Sequence, residues 1–131
     1  MTDRKLIGMA TEAMKNSYSP YSRFRVGAAI ECSDGSIYTG CNIENPAFGT
    51  TICAEVAAVS AAVSAGKRGF RRIAIISDGS NYCYPCGLCR QLLNEFSPEM
   101  EVLCSRSDER YVSYPLTTLL PMPYTKEQAE P

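Results

Sequence analysis

Histidine is absent from the 131 residues of this chain. That gap removes Ser–His triads, Cys–His nucleophile pairs, His-Glu-x-x-His zinc sites and zinc fingers built on two cysteines and two histidines. Acid–base chemistry must then rest on carboxylates, and any transition-metal site on thiolates. A surplus of charge of either sign is also missing. The net charge is −1, so nothing suggests a nucleic-acid or membrane-surface partner. No long apolar run is present either: the longest such segment, AEVAAVSAAVSAG, is short, rich in alanine and interrupted by Glu55, too little for a membrane span. The first residues, MTDRKLIGMATEAMKNS, repeat apolar side chains at helical spacing (Leu6, Met9, Ala10, Ala13, Met14) and read as an amphipathic helix rather than a signal peptide. Repeats, linkers and low-complexity tracts are missing. The expectation is one soluble, cytoplasmic domain over 1–131 with a real hydrophobic core.

Cysteine, by contrast, is plentiful, with seven in the chain. The odd count and scattered positions argue against a disulfide framework. Cys32, Cys41 and Cys104 read as packing residues, since free cysteine behaves as a small hydrophobe. The stretch NYCYPCGLCRQLL, residues 81–93, sets Cys83, Cys86 and Cys89 at C-x-x-C-x-x-C spacing.

The remaining pattern gives an element order αββαβαββ plus a C-terminal piece. FRVGAAIEC and IYTG are strand-like runs joined at SDGS, a hairpin signal. CNIENPAFGTT reads as an irregular loop. CAEVAAVSAAVSAGK is a helix stopping at Gly66, RRIAIISD a buried strand, and CGLCRQLLNEF a helix preceded by Pro85. MEVLCS and YVSYP are two further strands, and TTLLPMPY a helical turn running into a polar tail, TKEQAEP. These elements define an α/β domain, a mixed sheet of about five strands covered by helices, with a parallel crossover on each side of RRIAIISD. Strand order cannot be read from the pattern.

Two of these helices begin at cysteine, one at Cys53 in Cys53-Ala54-Glu55, the other at Cys86 and Cys89. Helix starts offer unpaired N–H groups and a positive dipole end, and both favour thiolates. If the two starts face each other, three thiolates converge, a set that suits tetrahedral zinc with one position open to water. Glu55, two residues from Cys53, can reach that water and is the natural general base. Taken alone, Glu55 is equally an ordinary first-turn glutamate. Cys86 and Cys89 alone suit a redox pair, although a thioredoxin-like context is missing. A closed four-cysteine site or an iron–sulfur cluster using Cys83 and Cys53 is a further alternative, but it gives Glu55 no role and lacks the ferredoxin run's next cysteine and proline.

C-A-E, then 29 residues, then P-C-x-x-C resembles the zinc nucleobase deaminase signature in an all-cysteine form. More narrowly, SPYSRFRVGAA, GCNIEN, CAE, PCGLCRQ and LLP stand in the order found in the small cytidine deaminases and span most of the chain. The resemblance implies a three-layer cytidine-deaminase-like fold and one zinc per subunit on Cys53, Cys86 and Cys89. It implies that Glu55 takes a proton from water at the zinc and delivers protons to ring N3 and the departing amine. Backbone groups near Ala54 and Cys86 would orient the base, Asn42 and Glu44 would bind the sugar hydroxyls, and Phe24 would lie beside the base. The implied reaction is deamination of cytidine and 2′-deoxycytidine in pyrimidine salvage, by a homotetramer with shared active sites and no nucleic-acid or membrane partner. Without the family context, Phe24 reads as core, Asn42 and Glu44 as turn residues, and Tyr18 and Tyr21 as packing for the turn before the strand. Cys83 falls outside the motif.

Two positions depart from the family pattern. Many members carry an arginine after the catalytic glutamate, where this chain has Val56. Three thiolates and a zinc dication sum to −1, so Arg90 and the helix N-termini would supply the compensating positive charge. After the LLP turn, relatives place a phenylalanine that covers the base in a neighbouring subunit, and here the residue is Tyr124. An apolar residue after the glutamate and a late tyrosine also resemble the blasticidin-S-type deaminases, which lack the NIEN and FRVG pieces present here.

Overall fold

The computed structural model describes residues 1–130, and Pro131 lies outside them. The first helix, α1 (Asp3–Met14), starts where the Thr2 side chain accepts from the Lys5 N–H at 3.1 Å, an ordinary N-cap. Its Leu6, Ile7, Ala10 and Met14 recur every three or four residues and are buried. Strands β1 (Val26–Cys32) and β2 (Ile37–Cys41) form the expected hairpin. Asp34 shapes its turn by accepting from the Ser36 N–H at 3.0 Å. There follow α2 (Ala54–Ser64), β3 (Phe70–Ser77), α3 (Gly87–Phe96), β4 (Glu101–Ser105) and β5 (Tyr111–Pro115). The sequence TKEQ, expected as polar tail, instead forms a helical turn, α5 (Lys126–Ala129), after α4 (Leu116–Leu119). A capping box between Thr125 and Gln128 closes it, a local signal that the composition of the tail obscured.

The sheet has five strands in the order β2-β1-β3-β4-β5. Only β3 and β4 pair in parallel; the other neighbours are antiparallel. Strands β2 and β3 therefore run the same way with β1 between them. Helix α2 makes the crossover that joins them, and α3 joins β3 to β4, so crossovers flank RRIAIISD on both sides.

Alternation along the central strands feeds two cores. Ala29, Ala74, Ile76 and Leu103 meet α1 on one face. Ala28, Ile30, Ile75 and Val102 meet α2 and α3 on the other, through Ala58, Ala62 and Leu93. The result is the expected α/β/α three-layer arrangement. Cys32 and Cys104 lie in the second core, as their reading as packing residues requires, and burial pushes the Cys104 thiol up to about 11. The α2 layer sits very close to the sheet. A Cβ at Gly40 of β2 would stand 2.5 Å from the Ala58 nitrogen and 2.6 Å from the Ala54 oxygen, so only glycine lets α2 approach at its N-terminal end.

Candidate active site

Cys53 and Cys86 are the N-caps of α2 and α3, both with extended backbone, and neither side chain makes a capping bond to its helix's backbone. Their sulfurs turn toward each other instead, 3.9 Å apart, with the Cys89 sulfur 3.4 Å from that of Cys86. All three lie within 4.8 Å of one another. Tetrahedral zinc with sulfur at about 2.3 Å puts its sulfurs roughly 3.8 Å apart, so the cluster is of a size to hold the ion. Cys83 stands outside this cluster, and the four-cysteine site considered as an alternative does not form among the described residues. Cys83 is nonetheless more than a loop residue: it lines the adjoining cavity, and burial pushes its thiol up to about 12.

The three thiols do not titrate alike. Pairing with Cys89 lowers the Cys53 thiol to about 6. The same pairing, together with burial, raises Cys89. Glu55 sits in the first turn of α2 and is 4% exposed. Burial pushes its carboxyl up to about 6, and the neighbouring Cys53 charge pushes in the same direction, against the favourable backbone N–H. A carboxyl near neutrality can both accept and return a proton.

Cys53, Ala54, Glu55 and Cys86 border a cavity of about 200 Å3. Phe24, Val26, Ile52 and Tyr84 give it apolar walls, and Asn42, Glu44 and Thr51 supply polar groups. No lysine or arginine lines it among the described residues. The loops carrying these groups are tied together locally. Ile43 and Ile52 exchange two backbone bonds of 2.9 Å. The Asn42 amide donates to the Phe24 carbonyl at 2.8 Å and accepts from the Val26 N–H at 3.0 Å and from the Ser17 hydroxyl. Glu44 accepts from the Ser22 hydroxyl and from the N–H groups of Ser22 and Tyr21. The Ser22 contacts, led by the hydroxyl, hold its carboxyl below the usual carboxylate range. Both residues therefore brace the turn as well as facing the cavity. Arg23 adopts φ 58 there, a left-handed backbone uncommon outside glycine, directly before Phe24. Tyr18 and Tyr21 do not pack the turn, because their rings are exposed. It is the Tyr18 backbone that pairs, with Asn42 and Glu44.

Three other expected residues lie elsewhere. Arg90 donates through Nε to the Pro85 carbonyl and through Nη1 to the Leu119 carbonyl, both at 2.8 Å. Its bonds go to carbonyl oxygens, so any compensation of the thiolates acts through space. Val56 lines an apolar groove between α2 and α3 with Val59, Val63, Leu92 and Phe96. Tyr124 is 63% exposed and is not among the residues lining its own chain's cavity. Sequence reasoning missed Tyr84 as a wall of the cavity. Its place next to Pro85 and Cys86 was the available signal.

Three thiols gathered at two helix starts, with a buried carboxylate beside them in an α/β/α layer, define a thiolate–zinc hydrolase. The chain belongs to the cytidine and deoxycytidylate deaminase family, whose zinc-binding region it matches over residues 1–105. It is 41% identical to a cytidine deaminase of Sporosarcina psychrophila over 128 residues, covering 97% of this chain and 94% of the relative. The crystal structure of a cytidine deaminase from Burkholderia pseudomallei superimposes with a TM-score of 0.91 at 37% identity, covering 95% of this chain and 100% of the other. A blasticidin-S deaminase of Bacillus cereus is more distant, at 32% identity over 132 aligned positions and 95% and 93% coverage. Zinc is the family's metal, and the thiol cluster is of a size and donor type to hold it. No helix among the described residues is long and apolar enough to cross a membrane.

Proposed function

We propose that this protein hydrolyses cytidine and 2′-deoxycytidine to uridine, 2′-deoxyuridine and ammonia, in pyrimidine salvage, with residues 1–131 acting as one deaminase domain. The observation that carries this reading is the buried Glu55 carboxylate against three converged thiols, at the edge of a cavity without a lysine or arginine. The family embraces both nucleoside and nucleotide deaminases. A 5′-phosphate in this cavity would meet Glu44 and no lining cation, which favours the uncharged nucleoside.

Cys53, Cys86 and Cys89 would hold zinc, which when bound would supply the Lewis acidity that makes water a nucleophile near neutral pH. Glu55 accepts a proton from the attacking water and passes it to ring N3. As the C4–O bond forms, Glu55 is free to take the second proton, from the C4 hydroxyl, and deliver it to the exocyclic amine, so that C4=O forms, the C4–N bond breaks and ammonia leaves. Backbone groups at Ala54 and Cys86 orient the base, and Phe24 lies against it. Asn42 and Glu44 take the sugar hydroxyls. The N-termini of α2 and α3, with Arg90, offset the residual negative charge of the thiolates. Seven free cysteines fit a reducing compartment, which supports a cytoplasmic location. A homotetramer with shared sites, in which Tyr124 of one copy covers the base in another, accounts for the exposure of that ring and for the apolar α2/α3 groove.

The test is ultraviolet turnover of cytidine by the purified protein, with blasticidin S in a parallel cuvette. Glu55→Gln should keep zinc and lose about 10²- to 10⁴-fold in kcat, while Cys89→Ala should lose zinc. Full activity in Glu55→Gln would overturn the mechanism. Turnover of blasticidin S alone would overturn the substrate.

A further inference from the structure

The side-chain amide of Gln91 takes both backbone groups of Tyr124. Its Nε2 donates to the Tyr124 carbonyl at 2.7 Å, and its Oε1 accepts from the Tyr124 N–H at 3.1 Å. One side chain thus supplies the pair of bonds that a neighbouring strand would offer. The preceding residue, Arg90, holds the Leu119 carbonyl at 2.8 Å. Consecutive residues of α3 therefore fasten both ends of the segment Leu119–Tyr124. Between these anchors, Pro121 and Pro123 fix their own φ angles, so the segment is stiff as well as tied. Just beyond it, α5 opens with the capping box of Thr125 and Gln128.

The fastened segment presents apolar surface outward. Met122 is 89% and Tyr124 63% exposed. Helix α3 also carries Cys89 and is capped by Cys86, so the arm and the thiol cluster share one rigid base. Holding a side chain in its bound position beforehand removes ordering cost from the binding step. We infer that Gln91 is a positioning residue, clamping Tyr124 so that its ring is pre-set for the substrate cavity of a second copy of this chain. This inference rests on the shared-site reading above and adds the residue that makes the shared contact productive.

Gln91→Met keeps the volume and removes both bonds. Two hydrogen bonds of ordinary net strength correspond to about a tenfold effect. The expected result is a cytidine KM raised about tenfold, with kcat, zinc content and assembly mass near wild type. Tyr124→Ala should raise KM by at least as much, and the double variant should add nothing further, because the two act as a unit. Gln91→Glu gives a second reading should Gln91→Met fail to fold. It keeps an acceptor for the Tyr124 N–H but sets an oxygen against the Tyr124 carbonyl, and it too should raise KM. The chain has no tryptophan, so Tyr124→Trp installs one tryptophan per chain, which can be excited selectively over the remaining tyrosines and whose anisotropy should fall when Gln91→Met is added. A raised KM in Tyr124→Ala with wild-type KM in both Gln91 variants would overturn the clamp and leave the shared site standing. A fully active monomer, or wild-type KM in Tyr124→Ala, would overturn the shared site itself. Lower melting temperature in Gln91→Met with unchanged KM and anisotropy would reduce Gln91 to a structural tie.

Discussion

Glu55 and Cys83 illustrate what burial does to neighbouring ionisable groups. Both lie against the cavity and both are pushed toward their neutral forms, Glu55 to about 6 and Cys83 to about 12. For Glu55 the shift leaves a group able to exchange protons near neutral pH. For Cys83 burial favours the protonated thiol, and its sulfur stands outside the three-thiol cluster. Cys83→Ser should therefore keep one zinc per chain and change kcat by no more than a few-fold, with metal analysis and turnover as the checks; loss of zinc would restore the four-cysteine reading. The placement of single residues was legible where it depends on a short stretch of chain. Cys53, Glu55, Cys86 and Cys89 lie within one turn of two helix starts, so their convergence needed only those starts to meet. Asn42 and Glu44 were harder, because their bonds to Phe24, Val26 and Ser22 depend on how two loops fold against each other. Tyr84 had only its position beside Pro85 and Cys86 as a signal, and its place in the cavity wall depends on how that loop folds over the site.

At the level of elements, the helix starts depart from local preference. Thr2 caps α1 in the usual way, whereas Cys53 and Cys86 leave the first N–H groups of α2 and α3 without a side-chain cap. Departures of this kind collect at functional sites. They imply a trade that can be measured. In metal-free protein, Cys53→Ser should stabilise α2 by about 1 kcal/mol, because a serine hydroxyl caps well. With zinc added the order should reverse, since binding to the folded state stabilises it and the variant lacks a ligand. Thermal melts with and without zinc decide this, and a metal-free variant less stable than wild type would refute it. The close seat of α2 on β2 gives a second test. Gly40→Ala should cost about 1–3 kcal/mol through overpacking in urea unfolding. It should also lower turnover, because any shift of Ala54 carries Glu55 with it; unchanged stability would mean that the approach is slack. Strand order, unlike element type, was not legible. Placing β1 between β2 and β3 is a long-range choice that no local period encodes.

The whole molecule exposes more large apolar side chains than its own core explains. Phe48, Leu88 and Met122 are 87%, 83% and 89% exposed, and the α2/α3 groove lined by Val56, Val63 and Leu92 is open as well. Scattered apolar residues on a surface are normal, but clusters beside a binding cavity mark contact surfaces. Leu88 sits between Cys86 and Cys89 at the start of α3, and the clamped arm ends nearby on the same helix at Gln91. A second copy covering this region would bury Leu88 and deliver Tyr124 in one contact. Leu88→Glu discriminates well, because a side chain this exposed contributes little to the fold of one chain and a glutamate suits the first turn of a helix. The expected outcome is a folded, zinc-loaded protein whose light-scattering mass falls from that of the assembly toward that of one chain. Its cytidine KM should rise in parallel, as in Tyr124→Ala. If the mass is unchanged, Leu88 lies outside any contact between copies, and the proposed assembly would have to use the α2/α3 groove instead.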